Sequence, residues 1–396
     1  MSGLRDWLSE DVKSSNTSRP ALDIIEQNES VYSEYDDFHF KEAENLQREY
    51  NHFIYRKHLF VIGCFLATFV AVGLIITQGE YDLSFFEVYQ IIGNHILNGA
   101  PPATEPLEYM KDHVVWNLRL PRVIVAIVAG FGLAVAGAVM QSTLKNPMAD
   151  PYTTGVSAGA AFGATISIIL GVNLISYDFG LVLNAFIFSL IPAALIVVIS
   201  KKKSMSSTSM ILAGLAVMYI FNACTTALKL AAEPDALSAL YRWQVGSLNN
   251  MLWSDVPVML AVTISGSIVV MLLSKKINIL SSGDDTANSL GIDASRLRAI
   301  CIVIVSLVTA SIVAFTGTIG FIGLVSPHVA RIFIGSDNKY LIPASAAFGG
   351  LLLLVSDYIG RTIISPSVLE VGVVTAFIGG PMFLYLILKQ RKEVWT

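Results

Sequence analysis

Residues 299–330 read AICIVIVSLVTASIVAFTGTIGFIGLVSPHVA, thirty-two positions without a charged side chain. As one helix rising about 1.5 Å per residue this stretch would be about 48 Å long, whereas a bilayer's hydrocarbon core is only about 30 Å thick. It also carries Gly317, Gly320, Gly323 and Pro327, residues that break helices. The stretch is therefore read as two membrane spans joined by a very short glycine-rich turn. Working outward, other charge-free runs of spanning length begin at Leu59, Val123, Pro151, Phe179, Ser204, Val256, Tyr340 and Val371. These runs predict an all-α integral membrane protein of ten transmembrane helices.

The basic residues test that division, because short cytosolic loops collect Lys and Arg. Ten spans with both termini cytosolic place fifteen Lys/Arg of residues 56–392 inside and six outside. Keeping 299–330 as one span flips everything after it and gives eleven against ten, which abolishes the bias. The six outer positions are Lys111, Arg119, Arg122, Lys229, Arg242 and Arg361.

Composition agrees. The chain has 396 residues, 54% hydrophobic and 14% charged, against about 25% charged in soluble chains. That leaves too few charges to cover a soluble multidomain enzyme. A net charge of −4 gives no nucleic-acid footprint. Cys64, Cys224 and Cys301 lie in apolar runs, and are read as buried thiols rather than disulfides or zinc ligands. The histidines show no metal spacing; His328, after Pro327, is read as an uncharged imidazole at a helix start. Residues 1–56 hold twelve Asp/Glu and six Lys/Arg. They are read as an acidic cytosolic extension, with a polar surface helix over 36–55, preceding a permease-like domain over 57–392.

Gly137, Leu144, Pro147 and Gly155 recur 180 residues later as Gly317, Leu324, Pro327 and Gly335. Five spans separate the copies, which suggests an inverted repeat, a transporter signature. Small residues at Gly130, Ala134 and Gly137, then at Gly155, Gly159 and Gly163, suit close helix approach in lipid. Between them Asn-Pro-Met-Ala-Asp-Pro at 146–151 must break the helix, and broken backbone at membrane depth needs protein or a water-filled path to satisfy it. The polar loop over 275–298 predicts a short helix over 284–290, and a second capped by Asp293, together forming a cytosolic docking surface.

LRLPR at 118–122, AGAVMQ at 136–141, NPMADP at 146–151, GFIGLVSPHVAR at 320–331, SDYIGR at 356–361 and VGVVTAFIGGPMFLYLI at 371–387 carry a family resemblance. Over residues 58–390 the chain resembles the membrane permease subunit of the type II ABC importers for iron chelates (siderophores), haem and vitamin B12. It departs from the family at Ser281-Ser282-Gly283, where members often have Leu-Gly, and at Val371, where Pro is usual.

The resemblance implies a homo- or heterodimer of permeases in the cytoplasmic membrane. Two ATPase subunits would bind inside, and an extracytoplasmic binding protein would deliver the cargo outside. No GxxxxGK[ST] phosphate loop occurs, so ATP and Mg belong to the partner ATPase, and this chain is a transport subunit that holds no cofactor or metal. The resemblance places binding-protein docking on Arg119, Arg122 and Arg361. Arg119 and Arg122 would share one helix face, with Pro121 in the first helical turn. ATPase coupling is expected at Asp284, Ala287, Leu290 and Gly291. A cytosolic gate is expected at Asn146, Pro147, Met148, Ser207 and Thr208. A ferric siderophore is the expected cargo, with corrinoid or haem as alternatives. An ion-coupled secondary transporter is disfavoured because the spans lack mid-membrane charge. Asp357 is explained by an i,i+4 pair with Arg361.

Overall fold

The computed structural model describes residues 48, 51 and 54–393, apart from 80, 82, 176–178, 203–205 and 365–366. The acidic extension and its surface helix over 36–55 fall almost wholly outside the described residues. The chain divides into two compact units, Met1–His58 and Leu59–Thr396. The helices lie in the second unit, apart from the start of the first helix.

That first helix is α1 (Ile54–Thr77). It is followed by α2 (Phe85–Asn98) and α3 (Pro106–His113). The chain then passes through a π-helical turn, Val114–Arg119, into α4 (Leu120–Thr143) without interruption. A 3-10 turn at Pro151–Thr154 precedes α5 (Val156–Leu170), α6 (Gly180–Lys202) and α7 (Ser207–Lys229). Next come α8 (Pro234–Val245), α9 (Val256–Ser281) and the six-residue α10 (Asp284–Ser289). The chain closes with α11 (Ala294–Thr316), α12 (Ile322–Ile334), α13 (Asn338–Thr362) and α14 (Val371–Glu393).

Among the described residues, seven helices are long and apolar enough to cross a bilayer: α1, the continuous α3–α4, α6, α7, α9, α11 and α13. Three shorter apolar helices, α5, α12 and Val371–Tyr385 of α14, complete the set. Each apolar run read from the sequence is thus one helix, and the 299–330 stretch breaks after Thr316 as expected. At about 1.5 Å per residue α5 is about 22 Å long and α12 about 20 Å, both shorter than a bilayer core. The non-helical chain before each must therefore make up the depth.

α4 is the axis of the unit, packing against α9, α11, α12 and α13. Apolar driving force is absent between helices in lipid, so contact depends on backbones coming close. A methyl group at Gly130 would lie 2.3 Å from the Gly349 carbonyl oxygen, and one at Gly137 would lie 1.8 Å from that of Gly323. Both positions therefore require glycine. The second small-residue row works likewise, with Gly159 against Phe188 and Gly163 against Asn184 on α6.

Several expectations are corrected. The helix carrying Arg119 and Arg122 starts at Pro106, so Pro121 sits in its interior rather than in a first turn. The widened π turn passes it: the Leu120 N–H donates to the Val115 carbonyl, five residues back, just before the residue that cannot donate. α12 starts at Ile322, so Pro327 and His328 lie inside it rather than at a helix start. Cys64 and Cys301 are buried but Cys224 is exposed. The four-residue match at 180 residues joins unlike structures, since Gly137 is inside α4 whereas Gly317 caps α11, and Pro147 is in a turn whereas Pro327 is helical. The repetition lies in the elements instead. The third and eighth apolar helices, α5 and α12, are both short and both follow a break.

Candidate functional sites at the ends and middle of the bundle

At one end of the bundle, α4 and α13 bring Arg122 against Asp357. The guanidinium donates from Nε to both carboxylate oxygens (3.1 and 3.0 Å) and from Nη2 to Oδ1 (2.6 Å). Its Nη1 donates to Asn249 Oδ1 at 2.7 Å, and Asn249 Nδ2 in turn donates to Glu370 (3.2 and 3.3 Å). The Asp357 side chain is 1% exposed, so a two-pronged partner is what makes its charge tolerable there. Arg361 stands one turn along α13, with Nε 3.3 Å from Asp357 Oδ2. That is ion-pair distance without a hydrogen bond, and both Nε and Nη2 are buried without any hydrogen-bond partner. Arg119 turns away from this group. It donates to the Ile76 carbonyl at the end of α1, and its guanidinium occupies the space a side chain at Gly79 would need.

The three arginines expected to dock a partner are thus not equivalent. Arg122 is consumed by Asp357 and Asn249, Arg119 caps α1, and Arg361 retains donors without partners. Arg119 and Arg122 do not present one face, because they bind different elements. The i,i+4 pair of Asp357 with Arg361 exists, but it is secondary to Arg122.

In the middle of the bundle the two breaks meet. Asp150 Oδ1 accepts from the Tyr152 N–H at 2.7 Å and starts the 3-10 turn. The Tyr152 hydroxyl donates to the Ile319 carbonyl (2.8 Å) and accepts from the Ile319 N–H (3.2 Å). One phenol therefore satisfies both backbone groups of a residue in the 317–321 break, as irregular backbone in an apolar setting requires. Neighbouring groups are met similarly: Thr318 Oγ1 donates to the Gln244 carbonyl, and the Ser247 N–H donates to the Thr316 carbonyl at 2.8 Å.

At the opposite end, Asp284 Oδ1 accepts from Lys145 Nζ (2.9 Å) and Arg298 Nη2 (2.8 Å). Arg298 is fully buried, and its Nε also donates to the Thr143 carbonyl at 3.2 Å, one of the last acceptors of α4. Partial burial works against ionisation of Asp284, but the hydrogen bonds and charges of Lys145 and Arg298 outweigh it and hold the carboxyl below its usual range. A polar chain lies nearby, with Ser142 donating to Asn338 (2.7 Å), Asn338 to Asn278 (2.8 Å) and Asn278 to Asp337 (2.7 Å). Gln141 also bridges, donating to the Leu324 carbonyl (3.3 Å) and accepting from Arg331 (3.2 Å).

The predicted coupling residues separate on this scaffold. Leu290 is 63% exposed, and Gly291 is exposed with a left-handed φ of 78°. Ala287 is buried in the cluster containing Ile277, Leu280 and Leu297, so it anchors α10 and cannot enter a partner's groove. Asp293 caps α11 by accepting from the Arg296 N–H at 2.9 Å, as the sequence predicts. Of the predicted gate residues, Asn146 spends its side chain in its own turn, where Oδ1 accepts from the Met148 N–H at 2.9 Å. Pro147, Met148 and Thr208 are exposed, and Ser207 is half-buried. Sequence reasoning missed Asn249, Glu370, Lys145, Arg298 and Tyr152 as site residues. Their partners lie 121 to 167 residues away or, for Asp284 and Arg298, across a turn, so no local spacing announces them.

The model of the FecCD transport family matches residues 65–389. The chain is 38% identical over 275 residues to a cobalamin import system permease of Halobacterium salinarum, covering 69% of this chain and 73% of the relative. It is 35% identical over 283 residues to a hemin transport system permease of Yersinia pestis (71% and 85%). It is 38% identical over 288 residues to an Fe(3+)-citrate import system permease of Bacillus subtilis (72% and 86%). A solved inward-facing structure of a metal-chelate-type ABC transporter superposes with a TM-score of 0.72 at 28% identity, covering 83% of this chain and 98% of that one.

Proposed function

Because the chain belongs to the FecCD transport family, we propose that it is the permease that carries a ferric siderophore inward across the cytoplasmic membrane, with ATP hydrolysed on separate subunits. The observation that carries this reading is the pair of broken helices joined through Tyr152 and Ile319. Backbone left irregular at depth is what transporters place beside a path, and here it comes with no phosphate loop and no catalytic group. An all-α transport subunit of this kind is not an enzyme. It works as one of two permeases, with two ATPases on the Asp284 side and a binding protein on the Arg361 side. The excess of Lys and Arg on the Asp284 side supports placing that side in the cytosol, with both termini there too.

At the Asp284 end, exposed Leu290 and Gly291 form the ATPase contact. Asn146, Pro147, Met148, Ser207 and Thr208 form a constriction around the exit. At the other end Arg361, whose side chain is 20% exposed and which Asp357 holds only at 3.3 Å, is the arginine that turns outward to meet a carboxylate on the binding protein. Corrinoid cargo is the second reading, supported by the 38% identity to a cobalamin permease, equal to that of the Fe(3+)-citrate relative; haem is the third. The test is ATP-dependent uptake into proteoliposomes holding the full complex, with radiolabelled ferric citrate, a ferric hydroxamate, haemin and cyanocobalamin offered separately. Accumulation of an iron chelate alone supports the proposal. Uptake of cobalamin or haemin alone overturns the cargo, and uptake without any ATPase overturns the mechanism.

A further inference from the structure

Two cations at the Asp284 end converge on one carboxylate oxygen, and the three residues of the joint differ in mechanical standing. Arg298 is fixed, being fully buried and held to the end of α4 through the Thr143 carbonyl. Lys145 begins the turn that carries the gate residues. That turn is internally stiff: Lys145 has φ 51°, the Asn146 N–H reaches the Gln141 carbonyl at 3.1 Å, and the Ala149 N–H reaches the Asn146 carbonyl at 3.0 Å. Asp284 is the first residue of α10, whose exposed end presents Leu290 and whose Ala287 is seated in the core. A six-residue helix anchored by one buried alanine and one carboxylate cannot tilt without pulling that carboxylate.

We propose that Asp284 is a positioning residue that locks α10 to the turn at residues 145–148, so that displacement of the ATPase-contacting helix is delivered directly to the gate. This rests on the transport reading above. It adds that the Lys145–Asp284 contact, rather than the span helices alone, transmits the motion. Lys145 is the informative branch to cut. Its side chain is 35% exposed, and its loss leaves Arg298 paired with Asp284.

The experiment places spin labels at Met148→Cys and Ser289→Cys in a Cys224→Ser background, within the full complex in nanodiscs, with and without ATP and vanadate. The intact joint should give one narrow distance distribution in both nucleotide states. Lys145→Glu, which sets like charges together, should broaden or split it, and Lys145→Arg should restore it. In parallel, cargo moved per ATP hydrolysed should fall about threefold to tenfold in Lys145→Glu and recover in Lys145→Arg, the range expected for a residue on a coupling path. The cargo is ferric citrate, haemin or cyanocobalamin, whichever the unmutated complex transports. Lys145→Met separates loss of the contact from repulsion and should lie between the two. An unchanged distance distribution in Lys145→Glu overturns the proposal. If the unmutated complex moves none of these three cargoes and no ferric hydroxamate either, the transport reading fails while the spin-label result still decides the joint.

Discussion

Arg361 and Arg122 look alike in sequence, yet the structure predicts opposite outcomes for their removal. Arg122 gives Asp357 three contacts of 2.6–3.1 Å, whereas Arg361 gives it one ion-pair contact of 3.3 Å. Replacing Arg122 with Gln leaves a carboxylate that is 1% exposed with only the weaker partner. Breaking a buried pair in this way costs about 3–5 kcal/mol. Replacing Arg361 with Met removes two buried nitrogens that bond to nothing, each a desolvation cost of about 1–3 kcal/mol, and Asp357 keeps Arg122. The isolated permease should therefore melt at the same temperature or higher. Docking should suffer instead: losing one charged hydrogen bond to the binding protein is worth about 1.5–3 kcal/mol, or about 10- to 150-fold in Kd. The assay is binding-protein affinity for permease in nanodiscs, paired with thermal unfolding of the free permease. An Arg361→Met protein that melts lower and binds normally, or an Arg122→Gln protein that melts normally and binds weakly, would refute the division.

Four further outcomes follow from the same geometry. Tyr152→Phe removes the hydroxyl that meets both backbone groups of Ile319; it should destabilise the permease by about 1–3 kcal/mol, read by thermal unfolding, whereas a free surface tyrosine would give no change. Gly137→Leu should abolish a monodisperse product on size exclusion, since its Cβ would fall 1.8 Å from the Gly323 carbonyl, while Gly93→Ala, with nothing within 4 Å, should not. Leu290→Glu places a charge on a side chain that is 63% exposed; the permease should melt normally but co-purify with less ATPase. Asp284 is held below the usual carboxylate range, so its contribution to stability is complete above that range and fades as pH falls through its own lowered value; unfolding midpoints of Asp284→Asn across the acid limb should lack that step.

The all-α class and the placement of the long apolar helices were legible because a bilayer imposes one length on every crossing and penalises charge within it. The break after Thr316 could be read from glycines and from the balance of Lys and Arg, without any contact information. The capping of α11 by Asp293 was legible for a similar reason, since a cap is a local event. What the sequence hid was pairing at long range. Nothing around Arg122 marks it as the partner of a residue 235 positions away, and nothing around Ala287 shows that it faces inward while Leu290, three positions later, faces out. Pro121 misled because a proline near an arginine pair reads as a helix start. The structure instead passes it with a π turn inside a continuous helix, which local spacing does not report.

Burial along the helices separates a central framework from helices whose surfaces face outward in the single chain. Within the apolar window of each span, 83% of the α3–α4 helix is buried, 67% of α11 and 61% of α13, against 17% of α7 and 28% of α9. A close-packed helix fixed by glycine contacts at two levels resists bending, because any shift opens voids along its whole length. α4 is that helix, and both end sites are attached to it. Arg119 and Arg122 stand at its start, the Thr143 carbonyl and Lys145 at its finish, and the twenty-four residues from Leu120 to Thr143 span about 36 Å at helical rise. A strut of that length carries displacement between its ends without needing a chain of rearranged side chains. α7 is touched by the 3-10 turn at Gly214, where a methyl group would lie 2.4 Å from the Thr153 carbonyl oxygen. This close approach seats α7 directly against the break at residues 146–154. Substituting Gly214 with Ala should therefore lower the melting temperature as a change at Gly130 would, and a protein that melts normally would show that the Thr153 backbone yields to the methyl group.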